Sequence, residues 1–326
     1  MSEPLLRMSN ICKRYPGVKA VDDVSIDLQA GEVLGLMGEN GAGKSTLIKM
    51  LAGAENRDSG KIYIEGKEVN IDSPKTSQDN GVSVIYQELI TMDTLSVAEN
   101  IFVGDLPTKK GLVDWKTARI KASEVLKRLN SDIDPKKIVD TLSIYEKQIV
   151  EIAKAIHKNA KVLVMDEPTA ALSEKDAKSL FQMIETLRKQ GVGIIYISHR
   201  IEEVFELTDR ITVMRDGKYI GTEPTKSTKQ EKIISMMIGR ELNQLFPEMK
   251  ADLGEVVMEI RDLNIKGIIE NINFNVRKGE ILGLFGLVGS GCLNIAKAIY
   301  GIDDIDRGEI FIDNKKVTIK KPKQAL

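Results

Sequence analysis

The sequence predicts an α/β fold that begins twice along the chain. Two observations predict it: apolar strand patterns that lead into a glycine-rich loop and a helix, and a second occurrence of that series near the C-terminus. At 326 residues the chain is long enough for about two domains, each with a sizeable core.

The first copy begins with a half-buried strand and a fully buried one. Val24, Ile26 and Leu28 alternate with polar residues, which is the period of a strand with one buried face. The run VLGLM from Val33 has no polar residue and predicts a buried strand. After the glycine-rich loop, TLIKMLAG predicts a helix that Gly53 can end.

The second copy aligns with the first without a gap. GEVLGLMGENGAGKSTLIKMLAG from Gly31 and GEILGLFGLVGSGCLNIAKAIYG from Gly279 are offset by 279 − 31 = 248 positions. Because 326 − 248 = 78, the copy stops at the equivalent of Gln78, and we expect a C-terminally truncated second domain. The predicted organisation is a first domain, a linker and an incomplete second domain, at residues 1–240, 241–254 and 255–326.

Composition and charge exclude several classes of function. The net charge of -1 gives no electrostatic case for binding nucleic acid. Cys12 and Cys292 lie far apart without metal-ligand spacing, which argues against a disulfide framework or a zinc site and favours a reducing, intracellular setting. The N-terminus has no signal-peptide pattern, and the apolar stretch from Ile281 is far too short to span a membrane.

The loop GENGAGKST has the phosphate-binding pattern GxxxxGK[ST] between a strand and a helix. Its backbone N–H groups and the helix N-terminus attract phosphate, Lys44 can reach the β- and γ-phosphates, and Ser45 can ligate Mg²⁺. The second copy has Cys292 at the position of this lysine. The candidate nucleotide-binding residues of the loop are Gly38, Glu39, Asn40, Gly41, Ala42, Gly43, Lys44, Ser45 and Thr46.

Two further strand ends carry candidate catalytic side chains. KVLVMDEP ends in Asp166, placed to hold Mg²⁺, and Glu167, placed to polarise an attacking water. Adjacent acids are usually solvated surface, but the phosphate loop upstream favours the functional interpretation. GIIYISHR ends a third strand on the same edge with His199, whereas His157 ends an amphipathic helix and is assigned no role.

Six segments, in this order and spacing, resemble the nucleotide-binding subunits of ABC transporters: KRYPGVKAV, GENGAGKST, IYQEL, SVAENIFVG, VMDEPTAAL and ISHR. More narrowly, they resemble the tandem-domain ATPases of bacterial ribose and galactose/methylgalactoside importers. The resemblance implies a P-loop NTPase with a RecA-like core, an antiparallel β subdomain and a helical subdomain at about 88–160. It also implies that Tyr15 stacks on adenine and that Gln87 senses Mg²⁺ and links to the membrane partner.

The resemblance further implies a subunit that uses ATP and Mg²⁺ to energise import of a monosaccharide. The implied partners are transmembrane permease subunits and an extracytoplasmic sugar-binding protein, with the chain peripheral at the cytoplasmic face of the membrane. The implied catalytic residues are Lys44, Gln87, Glu167 and His199. The implied Mg²⁺ ligands are Ser45, Gln87 and Asp166.

Two alternatives remain open from the sequence. One is a soluble tandem ABC protein acting on the ribosome or on DNA, which we expect to carry a long basic insertion, unlike the short acidic ELNQLFPEMKADLG. The other is a fragment without catalytic activity. The identity of the sugar is not encoded here, because its pocket belongs to other subunits.

One motif departs from the ABC pattern. The signature LSGGQ reads LSIYE here, with Ile144 and Tyr145 in place of the glycines and Glu146 in place of the glutamine. Ser143 and Glu146 predict a capping box, so the helix is expected to persist. Its predicted apolar face consists of Ile149, Ile152, Ala153 and Ile156. However, Tyr145 prevents the close backbone approach that glycine permits, and Glu146 puts negative charge where phosphate would bind.

The two departures have a common interpretation. In the ABC arrangement two domains face head to tail, so the altered signature of the first copy would face the lysine-less loop of the second. Both defects would then fall in one composite site. We therefore expect an asymmetric pair of sites and a poor ATPase for the chain on its own.

Overall fold

The computed structural model describes residues 3–240, 253–287 and 289–326. The chain divides into two units, Met1–Leu245 and Phe246–Leu326. The linker predicted at 241–254 lies outside the described residues except for its last two positions. Within the described ranges, no helix is both long and apolar enough to cross a membrane.

The first unit alternates strands and helices. Its strands are β1 (Leu6–Tyr15), β2 (Val18–Leu28), β3 (Val33–Met37), β4 (Ser59–Ile64), β5 (Lys67–Val69), β6 (Val82–Ile85), β7 (Thr108–Lys109), β8 (Leu112–Val113), β9 (Val162–Asp166), β10 (Gly193–Ile197), β11 (Arg210–Arg215) and β12 (Lys218–Pro224). Its helices are α1 (Lys44–Leu51), α2 (Pro74–Asp79), α3 (Val97–Ile101), α4 (Trp115–Arg128), α5 (Ile144–His157), α6 (Glu174–Lys189), α7 (Ile201–Leu207) and α8 (Gln230–Ile238). Short 3-10 helices are at Val139–Thr141 and Thr225–Ser227.

A six-stranded sheet forms the centre of this unit, in the order β12-β11-β3-β10-β9-β6. All neighbouring strands from β11 to β6 are parallel, and β12 is antiparallel at one edge. Every residue of β3 and β10 is buried, as expected for parallel strands covered on both faces. The run from Val33 therefore forms the buried strand that the sequence predicted.

A four-stranded antiparallel sheet, β2-β1-β4-β5, packs on one face of the central sheet. Its inward residues share one apolar cluster with Leu34 and Leu36 of β3. The alternating residues Val24, Ile26 and Leu28 of β2 are all buried in this cluster, so the half-buried strand predicted there is present.

The other face of the central sheet adjoins a cluster that includes α3, α4 and α5. These helices lie within residues 88–160, where a helical subdomain was expected. α5 begins with the predicted capping box between Ser143 and Glu146, and its four predicted apolar residues are buried. Core, antiparallel sheet and helices together match the predicted fold class.

The second unit repeats the antiparallel sheet of the first. Its elements are β13 (Val256–Ile265), β14 (Ile269–Arg277), α9 (Cys292–Ile299), β15 (Arg307–Ile312), β16 (Lys315–Val317) and α10 (Pro322–Ala325). The order β14-β13-β15-β16 is that of β2-β1-β4-β5. A small apolar cluster that includes Ile260, Leu263, Ile295 and Ala298 forms its core.

One element of the repeat does not form a strand. Residues 281–285 correspond to β3, yet they have no strand structure, and Phe285 is 97% exposed. In the first unit β3 is hydrogen-bonded between β10 and β11. The counterpart of β10 would begin at position 193 + 248 = 441, beyond the 326 residues of the chain. A buried parallel strand needs partners for its backbone polar groups, and the residues that the structure describes provide none for this stretch.

Candidate functional site

The predicted site residues converge at one edge of the central sheet. The strands β3, β10, β9 and β6 are parallel neighbours, and each is followed by a segment with predicted site residues. Residues 38–46 follow β3, His199 follows β10, and Gln87 follows β6. Asp166 is the last residue of β9 and precedes Glu167. The carboxyl ends of parallel strands are where α/β sheets bind their ligands.

Backbone geometry fixes the loop after β3. Gly41 and Gly43 have φ values of 85° and 95°, a region that side chains with a Cβ rarely occupy. A Cβ on Gly43 would also overlap the carbonyl oxygen of Ala20. α1 begins directly after Gly43, so its free N–H groups face the loop.

A cavity of about 570 Å³ opens beside this loop. Residues 40–46 form one wall, and Tyr15, Val18 and Lys19 of the hairpin between β1 and β2 form the other. Tyr15 is exposed at the cavity, so its aromatic ring is accessible for stacking with a planar group.

Lys13 lies over the ring of this tyrosine. Its Nζ atom lies 5.4 Å from the centre of the Tyr15 ring and 2.7 Å from a carboxylate oxygen of Glu55. A hydrogen bond from Lys13 lowers the pKa of Glu55, which therefore stays charged. Sequence reasoning missed this pair because it depends on a contact between distant parts of the chain.

The ammonium group of Lys44 is hydrogen-bonded to its own loop. Its Nζ atom donates to the carbonyl oxygens of Gly38 at 2.6 Å and Glu39 at 3.1 Å. Burial lowers the pKa of Lys44, while the charges of Asp166 and Glu167 oppose that change. The ammonium therefore lies in a partly desolvated position where an anion would be strongly attracted.

Asp166 has the opposite perturbation. Burial is the largest cause that raises its pKa, the charge of Glu167 raises it further, and Lys44 and Lys49 oppose the rise. A carboxylate desolvated beside a second carboxylate is suited to a cation. The described residues contain no group of three or more His, Cys, Asp or Glu side chains arranged around one point, whereas the predicted Mg²⁺ ligands also include Ser45 and Gln87.

Glu167 and His199 form a pair across two strand ends. Glu167 Oε2 lies 3.1 Å from His199 Nδ1, and the histidine side chain is 64% exposed. Glu167 has a φ of 49°, which is uncommon for a residue with a side chain. Its N–H donates to the carbonyl of Ile197 at 2.9 Å, so the strand end that leads to His199 also holds the backbone of Glu167.

The altered signature is at the N-terminus of α5. Glu146 accepts from the backbone N–H of Ser143 at 2.8 Å, and this hydrogen bond lowers its pKa. The carboxylate is therefore charged at neutral pH, with Lys137 Nζ at 3.3 Å. Tyr145 packs against the large apolar cluster of the unit, whereas Ile144 is exposed.

Two glycines in the loop of the second unit keep the backbone conformation of their counterparts in the first. Gly289 and Gly291 have φ values of 88° and 85°, and α9 begins directly after Gly291, as α1 begins after Gly43. The first side chain of α9 is that of Cys292, which accepts from Ser290 Oγ at 3.4 Å. Loop and helix are thus retained without the cation.

The second unit also has a shorter hairpin, which sequence reasoning missed. The N–H of Arg14 donates to Asp58, and the N–H of Lys266 donates to Asp306. The aspartates are 306 − 58 = 248 positions apart, but the donors are 266 − 14 = 252 apart. The hairpin of the second unit is therefore four residues shorter.

The residues that the second unit lacks include counterparts of Tyr15, Val18 and Lys19, which line the cavity of the first unit. After the donors, the two units come back into register at Ala20 and Ile268, whose carbonyls adjoin Gly43 and Gly291. A single glycine, Gly267, thus replaces residues 15–19. Extending the repeat alignment upstream of Gly31 could have revealed the change of offset.

A larger cavity, of about 920 Å³, lies away from these residues in the first unit. It is lined by β5, α2 and the end of α5, at the amino ends of the central strands. None of the predicted site residues borders it.

The comparisons with known proteins agree with this architecture. The ABC transporter family matches residues 21–170 and 269–326, and the two matches begin 269 − 21 = 248 positions apart. A putative ribose/galactose/methyl galactoside import ATP-binding protein of Halalkalibacterium halodurans is 47% identical over 99% of this chain and 62% of its own length. The ribose import ATP-binding protein RbsA of Geobacillus kaustophilus is 45% identical over 99% of this chain and 66% of its own length.

Solved structures support the same assignment. MJ1267 in its ADP conformation, an ATP-binding cassette of an ABC transporter, has a TM-score of 0.65 and 28% identity over 73% of this chain and 100% of its own. CbiO1 of Clostridium perfringens, part of the ABC transporter complex cbiONQ, has a TM-score of 0.62 and 25% identity over 75% of this chain and 98% of its own. The chain spans less than two thirds of the length of the curated relatives described above. The resemblance inferred from the motifs is thus confirmed, and the chain belongs to the ABC transporter family.

Proposed function

We propose that this chain binds and hydrolyses MgATP in its first unit and thereby energises import of a monosaccharide. The observation that carries the proposal is the convergence of Lys44, Asp166, Glu167 and His199 at one edge of the central sheet beside an open cavity. The curated relatives described above are named as import ATP-binding proteins for ribose, galactose or methyl galactoside.

The cavity fits a nucleotide from base to phosphates. Tyr15 would stack on the base, and the N–H groups of residues 38–46 would bind the phosphates together with Lys44. The fit is supported by the ammonium of Lys44, which donates to carbonyls of its own loop and can turn toward an anion. Gly43 lies against the carbonyl of Ala20, where a Cβ would overlap, so glycine at this position lets the loop pass close to β2.

Three residues would hold Mg²⁺: Ser45, Gln87 and Asp166. Bound there, Mg²⁺ would neutralise charge on the phosphate oxygens. Burial, and then the charge of Glu167, raise the pKa of Asp166, and a desolvated carboxylate of this kind is suited to a cation, which supports this assignment.

Glu167 would orient the attacking water and accept its proton. His199, 3.1 Å from Glu167, would hold that carboxylate in place and contact the γ-phosphate. Both groups follow neighbouring parallel strands, so the sheet holds the two strand ends side by side.

Transport would require partner subunits. We propose transmembrane permease subunits that bind the chain near Gln87, and an extracytoplasmic sugar-binding protein that delivers the monosaccharide. The chain would then lie peripherally at the cytoplasmic face of the membrane.

The test is ATP hydrolysis by the chain assembled with its permease in vesicles, with and without a sugar-loaded binding protein. We expect ribose or galactose to stimulate phosphate release, and Lys44→Ala to remove both the basal and the stimulated rate. Hydrolysis that responds to ribosomes or DNA and to no monosaccharide would instead support the soluble alternative.

A further inference from the structure

A buried carboxylate lies behind the pair formed by Glu167 and His199. It belongs to Glu203 on α7, a residue that is only 8% exposed. Four side chains donate hydrogen bonds to it: Thr169 at 2.6 Å, Tyr196 at 2.9 Å and Ser198 at 3.1 Å, all to Oε2, and Arg200 at 3.1 Å to Oε1. The roles assigned above do not use this cluster.

The donors belong to the two segments that carry the pair. Thr169 is two residues after Glu167, and Ser198 directly precedes His199. Both hydroxyl groups converge on the same oxygen of Glu203. The carboxylate therefore fixes the distance between the end of β9 and the end of β10 beyond what the sheet hydrogen bonds provide.

A buried polar cluster of this kind stabilises a fold no better than apolar packing would. A desolvated carboxylate destabilises a fold unless several donors compensate it, and apolar side chains of similar volume would pack at least as well. Burial raises the pKa of Tyr196, which therefore remains a hydroxyl donor. The polar arrangement is better explained by a need for position than by stability alone.

The backbone of Glu167 is in an uncommon conformation. Glu167 has a φ of 49°, and among the described residues its carboxylate is the one acid within ion-pair distance of the exposed His199. A strained residue persists where its surroundings fix it on several sides. Thr169 provides such a point two residues beyond Glu167.

We propose that Glu203 is a positioning residue, which acts through Thr169 and Ser198 to hold Glu167 and His199 in one relative geometry. The inference rests on the proposed hydrolysis of ATP by the first unit, and it goes beyond it by assigning a role to side chains that touch no nucleotide.

The decisive variants are Thr169→Val and a matched control, Thr212→Val. Each replacement keeps the shape of a buried threonine and removes one hydroxyl. Thr212 lies in β11 of the same sheet, is also buried, and pairs with Thr222 at 2.7 Å outside the cluster. Both variants remove one hydrogen bond of a buried threonine, and Thr169→Val should lose more stability because its partner is a carboxylate. The two are therefore compared under conditions where both are folded.

The first measurement is the proton NMR signal of the His199 ring in the 326-residue chain. The chain has two histidines, and His157→Gln leaves one. Glu167→Gln should shift the ring signals of His199 in the parent chain and in the Thr212→Val background. In the Thr169→Val background that shift should fall below about half of its value in the parent chain. The reason is that Glu167 and His199 interact less once their relative position is no longer held. Glu203→Gln, if it folds, should act in the same direction.

The second measurement separates turnover from binding. Thr169→Val should lower kcat about tenfold with an unchanged Kd for MgATP, because misplacement of catalytic groups affects the reaction more than binding. Equal NMR shifts in the Thr169→Val and Thr212→Val backgrounds would overturn the positioning role. A failure of the proposed function is distinguishable, since phosphate release would then not depend on Glu167 while the NMR comparison still decides the role of Glu203.

Discussion

The loop after Gly38 and the loop after Gly286 share two glycine conformations and the helix that follows, but their surroundings differ. Both have two left-handed glycines and lead into an eight-residue helix. The first loop has Lys44 and a tyrosine-bearing hairpin beside it, and its strand β3 is buried. The second has Cys292, a hairpin shortened to Gly267, and an exposed stretch in place of the strand. A glycine pattern thus specifies a loop locally, whereas a binding site also needs side chains and strands from elsewhere.

The largest expected effect concerns a residue that only the first unit has in this chain. Glu167→Gln keeps the size of the side chain but removes its ability to accept a proton, so kcat should fall about 10² to 10⁴-fold. Binding of MgATP should be retained. Phosphate release and nucleotide retention, measured in the assembled complex, check this prediction. Undiminished turnover would remove Glu167 from the reaction.

The second effect compares the two strand positions directly. Leu36 is fully buried in β3, and its repeat counterpart Leu284 is 45% exposed. Leu36→Ala should lower the free energy of unfolding by about 2 to 5 kcal/mol. Leu284→Ala should change it by less than about 0.5 kcal/mol. Denaturant unfolding followed by circular dichroism gives both values, and a comparable loss for Leu284 would mean that the second strand is packed in solution.

The third effect tests the hairpin. Tyr15→Ala should weaken nucleotide affinity by an amount that corresponds to about 1 to 3 kcal/mol, the range for loss of stacking between a base and an aromatic ring. Tyr15→Phe is the matched control and should bind almost as well as the parent, because it keeps the ring. Fluorescent adenine nucleotide titrations measure both variants. Unchanged affinity in Tyr15→Ala would show that the hairpin does not distinguish the two units.

The smallest effect is a gain. Two copies of the first unit would each offer LSIYE to the other's phosphate loop, with Glu146 charged at the helix N-terminus. Restoring glycine at Ile144 and Tyr145 and glutamine at Glu146 should raise ATP-dependent dimerisation several-fold in a Glu167→Gln background, because the negative charge is removed and the backbone can approach phosphate. Analytical ultracentrifugation with and without MgATP follows this. An unmodified chain that hydrolyses ATP at tens per second, a normal rate for phosphoryl transfer, would contradict the weakened signature.

Most of the first unit could be predicted because its signals are local. The glycines of the loop, the capping box at Ser143 and the apolar run of β3 each specify their own conformation within a few residues. The site followed from them because parallel strands bring their carboxyl ends together.

The features that sequence reasoning missed depend on distant contacts. The role proposed for Glu203 depends on its contacts with Thr169 and Ser198, which form only in the folded chain. The contact of Lys13 with Glu55 likewise forms only in the folded chain. The stretch at 281–285 has the composition of a buried strand, but composition cannot supply the neighbours that a strand needs. The same apolar pattern is therefore a strand in one unit and exposed chain in the other.

The stoichiometry of MgATP binding, measured by isothermal titration calorimetry, tests most directly whether only the first unit binds nucleotide. We predict one nucleotide per chain. Lys44→Ala should weaken this binding at least about tenfold, because it removes a charged hydrogen bond to phosphate, whereas Cys292→Ala should leave both stoichiometry and affinity unchanged. Two nucleotides per chain, or equal losses from the two substitutions, would contradict the claim that only the first unit binds.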